Sequence, residues 1–272
     1  MTSKTASPDT AQAHPFRLYA HRGASAILPE NTLEAFARAL SDGADALETD
    51  VHVTRDGAVV VHHDRTGHRT AGIARAVAQV TLDEVRRWDA GQGLVLGGLR
   101  MGGRGYRVPT LDALLGAFPD VPVNVDIKAH GRSVAARVIE VVRQCGAEGR
   151  VTLTSVDDAT CRAVRALGYR GPVGLGRLAG LFVVAAPRFL LRRFRPPGQA
   201  LQIPWKFKGQ RFDRPDVVQR ARELGLRLDY WTIDDPALAA SLVALGADGV
   251  MSNDPGRVRG AIDRALEAAR GA

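Results

Sequence analysis

The sequence predicts an α/β fold: a (β/α)8 TIM barrel with a small insertion after its second strand. Three observations lead there. Eight short β-rich runs alternate with Ala/Leu/Arg-rich helical runs, which implies an all-parallel sheet, and eight is the number that closes such a sheet on itself. The length, 272 residues, suits one barrel. Polar residues gather where the β-rich runs end, the face on which barrels assemble their sites. An open doubly wound sheet is the competing arrangement, but no Gly-rich dinucleotide fingerprint follows the first run.

Residues 1–15 are polar, rich in Ala, Ser and Thr, and free of apolar runs, so they are expected as a flexible tail and not a signal peptide. The expected strands are 17–20, 45–51, 121–126, 150–154, 172–176, 200–203, 227–232 and 248–251. Helical patterns occupy 32–42, 133–145, 158–168, 214–224 and 235–245, with 255–269 closing the chain. Asn31 and Glu34 read as a capping box opening the first helix, and Thr110 as the N-cap of another. Residues 54–110 break the alternation with a turn at 55–57, a β run at 58–61, a polar loop, a short helix at 81–88 and a Gly-rich stretch at 91–105. A long excursion at that place is more often functional than filler.

The hydrophobic content of 45% supports a large core, so folding needs no metal or disulfide. Cys145 and Cys161 fit neither a zinc motif nor a disulfide framework and read as ordinary thiols. No stretch approaches the roughly 18–20 apolar residues that span a bilayer, so a cytoplasmic protein, membrane-peripheral at most, is expected. The net charge of +8 is unevenly placed: Ala159 to Phe212 holds eleven Arg or Lys and no Asp or Glu, leaving the rest of the chain at −3. A basic segment points to nucleic acid, anionic lipid or an anionic substrate.

The chemistry is concentrated at strand ends. His21 and Arg22 follow the first strand, Glu48 and Asp50 end the second, His63 ends the β run of the insertion, and Asp126 and Lys128 end the third. Residues i and i+2 of a strand point to one side, so Glu48 and Asp50 can reach one ion. Three carboxylates, Glu48, Asp50 and Asp126, suit a hard divalent cation, Mg²⁺ or Ca²⁺, better than zinc. Arg22 can hold phosphate oxygens bidentately, and Lys128 adds a compact charge in a chain with only four Lys against 33 Arg. His21 and His63 can divide general base and general acid between them. His52 and His62 read as structural.

The pattern His21-Arg22-Gly23, Pro29-Glu30-Asn31-Thr32, Glu48-Thr49-Asp50-Val51, Thr54-Arg55-Asp56-Gly57 and Val61-His62-His63-Asp64 resembles the glycerophosphodiester phosphodiesterase family. Asp126-Ile127-Lys128, Trp231-Thr232, and Leu245 to Val250 with Asp254-Pro255 extend the likeness from about Leu18 to Pro255. The resemblance implies a single barrel domain over 16–272 that hydrolyses glycerophosphodiesters to glycerol 3-phosphate and an alcohol with a divalent metal. It implies that His21 and His63 are the acid–base pair, Arg22 and Lys128 phosphate contacts, Glu48 and Asp50 metal ligands, and Trp231 a pocket wall. It departs twice. Asp126 stands where the family often has Glu, and Asp234 where Asn is often found. The attacking group, the substrate's own hydroxyl or water, stays open.

Two alternatives stand beside this. One is a lysophospholipase D-type hydrolase working at a membrane surface. The other is a non-catalytic anion- or nucleic-acid-binding barrel, against which the full set of site residues argues; no nucleic-acid-binding signature is present. Residues 177–195 mix Leu, Phe and Val with five Arg and follow the fifth strand, so they are expected at the mouth of the barrel. They read either as an outward-facing barrel helix, broken by Pro187, or as an element resting on an anionic membrane. In the second case Leu181, Phe182, Phe189 or Leu190 is expected to be exposed around the mouth.

Overall fold

The computed structural model describes residues 14–271, and nearly all of the expected N-terminal tail lies outside them. Seven strands run parallel in one sheet: strand one (Arg17–His21), two (Ala46–Val53), three (Val123–Ile127), four (Val151–Thr154), six (Ala200–Pro204), seven (Arg227–Trp231) and eight (Gly249–Ser252). Their spatial order is six, seven, eight, one, two, three, four. Residues 173–174 fill the remaining gap, pairing Val173 with Leu153 of strand four and Gly174 with Ala200 of strand six. The ring therefore closes as the expected (β/α)8 barrel. Its fifth strand is only two residues wide because the run holds Gly171, Pro172, Gly174 and Gly176, which ladder poorly.

Helices pack outside the ring. Leu33–Ser41, Arg132–Gln144, Asp158–Ala166 and Arg177–Ala185 follow strands one, three, four and five; Pro215–Leu224, Pro236–Leu245 and Pro255–Gly271 follow six, seven and eight. The short helix Leu111–Ala117 closes the excursion after strand two. Thr110 caps it as expected, accepting from the Ala113 N–H at 3.4 Å. The first helix corrects the sequence reading. Thr32, not Asn31, is its N-cap, accepting from the Ala35 N–H at 3.3 Å, and Glu34 is exposed. Asn31 is freed for another task, described below.

The excursion folds on the barrel's flank. Val59–Val61 turns back antiparallel on strand two, pairing Val51 with Val61, and so carries His63 to the mouth. Val60, Val77, Val80, Val85, Trp88 and Val108 build a small apolar cluster beneath it. His62 is buried in that cluster, edge-on to Trp88 with ring centroids 5.8 Å apart, as its structural reading implied. The barrel interior holds a surprise for apolar patterning. Below the site, Gln202 Nε2 donates to Asn124 Oδ1 (2.9 Å) and Asp229 Oδ2 (3.3 Å), and Asp229 pairs with buried Arg227 at 2.8 Å. Arg227 also donates to the Pro15 carbonyl at 2.8 Å, tying the start of the described chain to the foot of the barrel. No helix among the described residues is long and apolar enough to cross a membrane.

Candidate active site

Parallel register sorts the site into two tiers. His21 pairs with Glu48 and Glu48 with Asn124; one step toward the mouth, Asp50 pairs with Asp126 and Asp126 with Thr154. Side chains two apart share a face, so both tiers point into the barrel. His21, Arg22, Glu48, Asp50, His63, Asp126, Lys128 and Trp231 all line one cavity of about 450 Å³. Asp234 does not line it.

The turn after strand one is built for close approach. Arg22 takes a left-handed backbone, φ 61°, held by its N–H on the Glu48 carbonyl (3.0 Å) and its carbonyl on the Asn31 N–H (2.9 Å). Gly23, φ 82°, follows so near the first helix that a Cβ would stand 2.6 Å from the Ala35 backbone. No other residue fits there.

Asp50 is the hub. Its carboxylate, 1% exposed, meets Arg22 Nε at 3.0 Å, Lys128 Nζ at 2.9 Å and Asn31 Nδ2 at 3.0 Å. Asn31 is oriented in turn by Thr49 Oγ1, which donates to its Oδ1 at 2.8 Å. Burial alone would raise the Asp50 pKa, but Lys128 and Arg22 outweigh it and draw it down to about 2. Glu48 and Asp126 go the other way. Burial and the charge of Asp50 push Glu48 well above the ordinary carboxylate value, and burial raises Asp126 although Lys128 Nζ stands 2.5 Å from its Oδ2. Asp126 Oδ1 is buried without a hydrogen-bond partner. Among the described residues, no three Asp, Glu, His or Cys side chains stand in a metal-holding group; the Lys128 ammonium lies between Asp50 and Asp126 instead.

The two histidines differ in what stands behind them. His21 Nδ1 lies 2.7 Å from Asn253 Oδ1. The Asn253 amide is oriented by Asp234, which accepts from Asn253 Nδ2 (2.8 Å) and from the Asn253 backbone N–H (2.7 Å). An oxygen therefore faces the ring, so Nδ1 carries the proton and Nε2 keeps a lone pair toward the cavity. Burial, then the charge of Arg22, lowers the His21 pKa. Behind His63 stands a carboxylate. Asp64 Oδ1 is 2.7 Å from His63 Nδ1, and Asp64 Oδ2 accepts from Arg69 Nε at 2.7 Å. Arg69 also grips Glu30 with two bonds of 2.7 Å, and Glu30 reaches Arg22 at 3.3 Å. A charged chain thus joins His63 of the excursion to Arg22 of the barrel. Sequence reasoning did not identify Asn253, Arg69, or the part that Asp234 plays.

The opposite wall is apolar, formed by Leu181, Val184, Leu201, Ile203, Phe207 and Phe212. Phe207 projects from a hairpin, Lys206–Phe207 on Gln210–Arg211, that the sequence reading left out. Lys208 and Gly209 both take positive φ there, 48° and 83°, as a tight two-residue hairpin requires. Residues 177–195 divide. Arg177, Gly180, Leu181 and Val184 reach the cavity, whereas Arg188 pairs at 3.0 Å with Glu223, at the far end of the helix Pro215–Leu224. Phe189 and Phe194 are thus exposed on the flank, and Phe182 and Leu190 are half-buried, so only the first half of the segment serves the mouth.

The chain matches the model of the glycerophosphoryl diester phosphodiesterase family over residues 21–257. It belongs to that family. It is 31% identical over 244 residues to a glycerophosphodiester phosphodiesterase of Caldanaerobacter subterraneus subsp. tengcongensis, covering 87% of this chain and 93% of the relative. It is 24% identical over 280 residues to human lysophospholipase D GDPD3, covering 93% and 87%. Among solved structures it resembles a glycerophosphoryl diester phosphodiesterase from Silicibacter pomeroyi, with TM-score 0.73, 26% identity and coverage of 92% and 94%. The fold thus coincides with what the sequence motifs implied, and the chain is an enzyme of the phosphoric diester hydrolase class.

Proposed function

We propose that this phosphodiesterase hydrolyses glycerophosphodiesters to glycerol 3-phosphate and an alcohol, with His21 as general base and His63 as general acid. The observation that carries it is the convergence of two histidines, two cations and three carboxylates on one cavity, with the two rings differently backed. Arg22 and Lys128 border the place of an anionic phosphoryl group and would hold its oxygens. His21, neutral with Nε2 free, takes the proton from the attacking hydroxyl, whether the substrate's own or water. The new P–O bond forms as the bond to the alcohol breaks; where the substrate's own hydroxyl attacks, water then opens the cyclic phosphate to give glycerol 3-phosphate, with the two rings exchanging roles. His63, with Asp64 supplying a counter-charge, delivers a proton to the leaving oxygen.

The donor types suit a divalent cation, although Lys128 now stands between Asp50 and Asp126 and would have to give way to it. Glu48 and Asp126 are destabilised as anions where they stand, and Asp126 Oδ1 has no partner. Glu48, Asp50 and Asp126 would hold Mg²⁺ or Ca²⁺, which would polarise the phosphoryl oxygen. The test sets glycerophosphocholine and glycerophosphoethanolamine beside a lysophospholipid, with EDTA and then with added Mg²⁺ or Ca²⁺. Release of glycerol 3-phosphate that stops with chelation and returns with metal is the expected result. Hydrolysis untouched by EDTA would remove the cation, and no hydrolysis of any diester would remove the function.

Lysophospholipids are a second substrate class for the same site. The apolar wall favours them, since a head-group diester needs no such surface, and one relative carries the name lysophospholipase D. Faster turnover of lysolipid than of glycerophosphocholine would support it.

The backing of His21 has its own test. A lowered His21 pKa keeps the base unprotonated at more acid pH, so kcat/KM should hold to below the ordinary histidine value before falling. Exchanging the pair, Asp234→Asn with Asn253→Asp, sets a carboxylate against Nδ1 while preserving the bonds between them. The acid limb should then move up by about 1–2 pH units. An unmoved limb would show that His21 is not the base that limits the rate.

A further inference from the structure

The mouth of the cavity is lopsided. Along strands one to three it is charged, with Arg22, Glu30, Asp64 and Arg69 in one chain of ion pairs. Along strands four to seven it is apolar, and that rim projects. Leu178 is 65% exposed, Phe207 58%, Leu181 55% and Trp231 38%, with exposed Val156 beside them. They come from the segments that follow or end four successive strands. The Arg177 N–H donates to the Val156 carbonyl at 3.1 Å, so two of these segments are joined. Scattered exposed apolar side chains are ordinary, whereas five on one rim make a patch.

Cations stud the same rim. Arg177 is exposed, Lys206 Nζ stands 5.9 Å from the Trp205 ring, and Lys208 Nζ stands 5.7 Å from the Phe207 ring. Neighbouring carboxylates are already engaged. Asp158 accepts from the N–H groups of Leu178 and Ala179 at 2.9 and 3.0 Å, and Asp213 pairs with Arg211.

We infer that this rim docks on an anionic lipid surface, with Leu178 and Phe207 entering the headgroup layer and Arg177, Lys206 and Lys208 lying against its phosphates. Apolar burial and charge attraction act together there, and salt weakens the second. Val156, Leu181, Phe207 and Trp231 belong both to the rim and to the cavity wall. A docked molecule would therefore receive a single-chain lipid directly from the membrane, its tail along the apolar wall and its phosphate toward Arg22 and Lys128. A nucleic acid would use the cations and leave the apolar side chains in water, so the patch favours lipid. The inference deepens the lysolipid reading, and docking is measured without turnover, so its failure leaves glycerophosphodiester hydrolysis standing.

Leu178 and Lys208 do not line the cavity, which makes them the residues to change. Wild-type protein should sediment with vesicles containing phosphatidylglycerol at low salt, be released at high salt, and ignore pure phosphatidylcholine. The double variant Leu178→Ser/Lys208→Glu should lose at least roughly tenfold in vesicle partitioning, the weight of one or two interfacial charges plus one apolar side chain. It should still hydrolyse glycerophosphocholine at the wild-type rate, which shows that it is folded. No sedimentation with anionic vesicles at low salt, or equal sedimentation of the double variant, overturns the inference. Retention on heparin without vesicle binding overturns it too and marks the rim as a polyanion site.

Discussion

His21→Ala and His63→Ala are each expected to lower turnover by roughly 10²–10⁴ while leaving the fold intact. Neither ring fills a closed core position; both line the cavity. His21 gives up one side-chain bond to Asn253, and His63 one to Asp64. Removal costs a proton-transfer group and little packing. The losses should not multiply in the double variant, because acid and base act on one reaction as a unit. His62→Ala offers the contrast. Its imidazole Nε2 lies 3.1 Å from the Thr66 carbonyl and packs on Trp88, away from the cavity. It should cost stability before chemistry. Single-turnover assays with circular dichroism on all four variants check this, and near-wild-type turnover in either cavity variant would remove that ring from the mechanism.

Asp50→Ala is expected to do more damage than any other carboxylate substitution. The side chain pairs with Arg22 and Lys128 at once from a position sealed from water, and it fixes Asn31. Its removal leaves Arg22 with Glu30 alone and Lys128 with Asp126 alone, and brings the two cations face to face. Breaking a buried ion pair from one side costs about 3–5 kcal/mol. The same change would remove one proposed ligand of the cation, so turnover should fall by roughly 10³ or more, the scale set by loss of electrostatic stabilisation. Urea unfolding read together with kcat separates the two effects. Asp126→Ala should be milder in stability, since burial already disfavours its charged form. A fully stable, active Asp50→Ala protein would dismantle the hub.

Much of this was written locally in the chain. Period-two spacing put Glu48 and Asp50 on one face, and strand alternation put Asp126 at the next strand exit, so barrel geometry alone brings them together. What stayed hidden depends on contacts made across the chain. Arg69 meets Glu30 across 39 positions, and His21 meets Asn253 across 232. No periodicity encodes either pair. Asn31 satisfies the capping pattern because it is polar and stands three before Glu, while Thr32 beside it satisfies the geometry. The end of 177–195 departs from expectation for a similar reason. Its composition is uniform, but Pro187 ends the helix and the chain then descends the flank.

The excursion also sets how this enzyme should age under heat. His63 belongs to a segment with its own small apolar cluster and is fastened to the barrel through Asp64, Arg69 and Glu30. Small outlying units open at lower free energy than the core they rest on. Inactivation on warming should therefore begin as an unlatching, with the proton donor swinging away from an intact ring of strands, and cooling should restore it. The working temperature of the catalyst would then be governed by the fastening of this excursion, the Val59–Val61 ladder together with the Arg69 clasp, while the barrel sets only the temperature of final collapse.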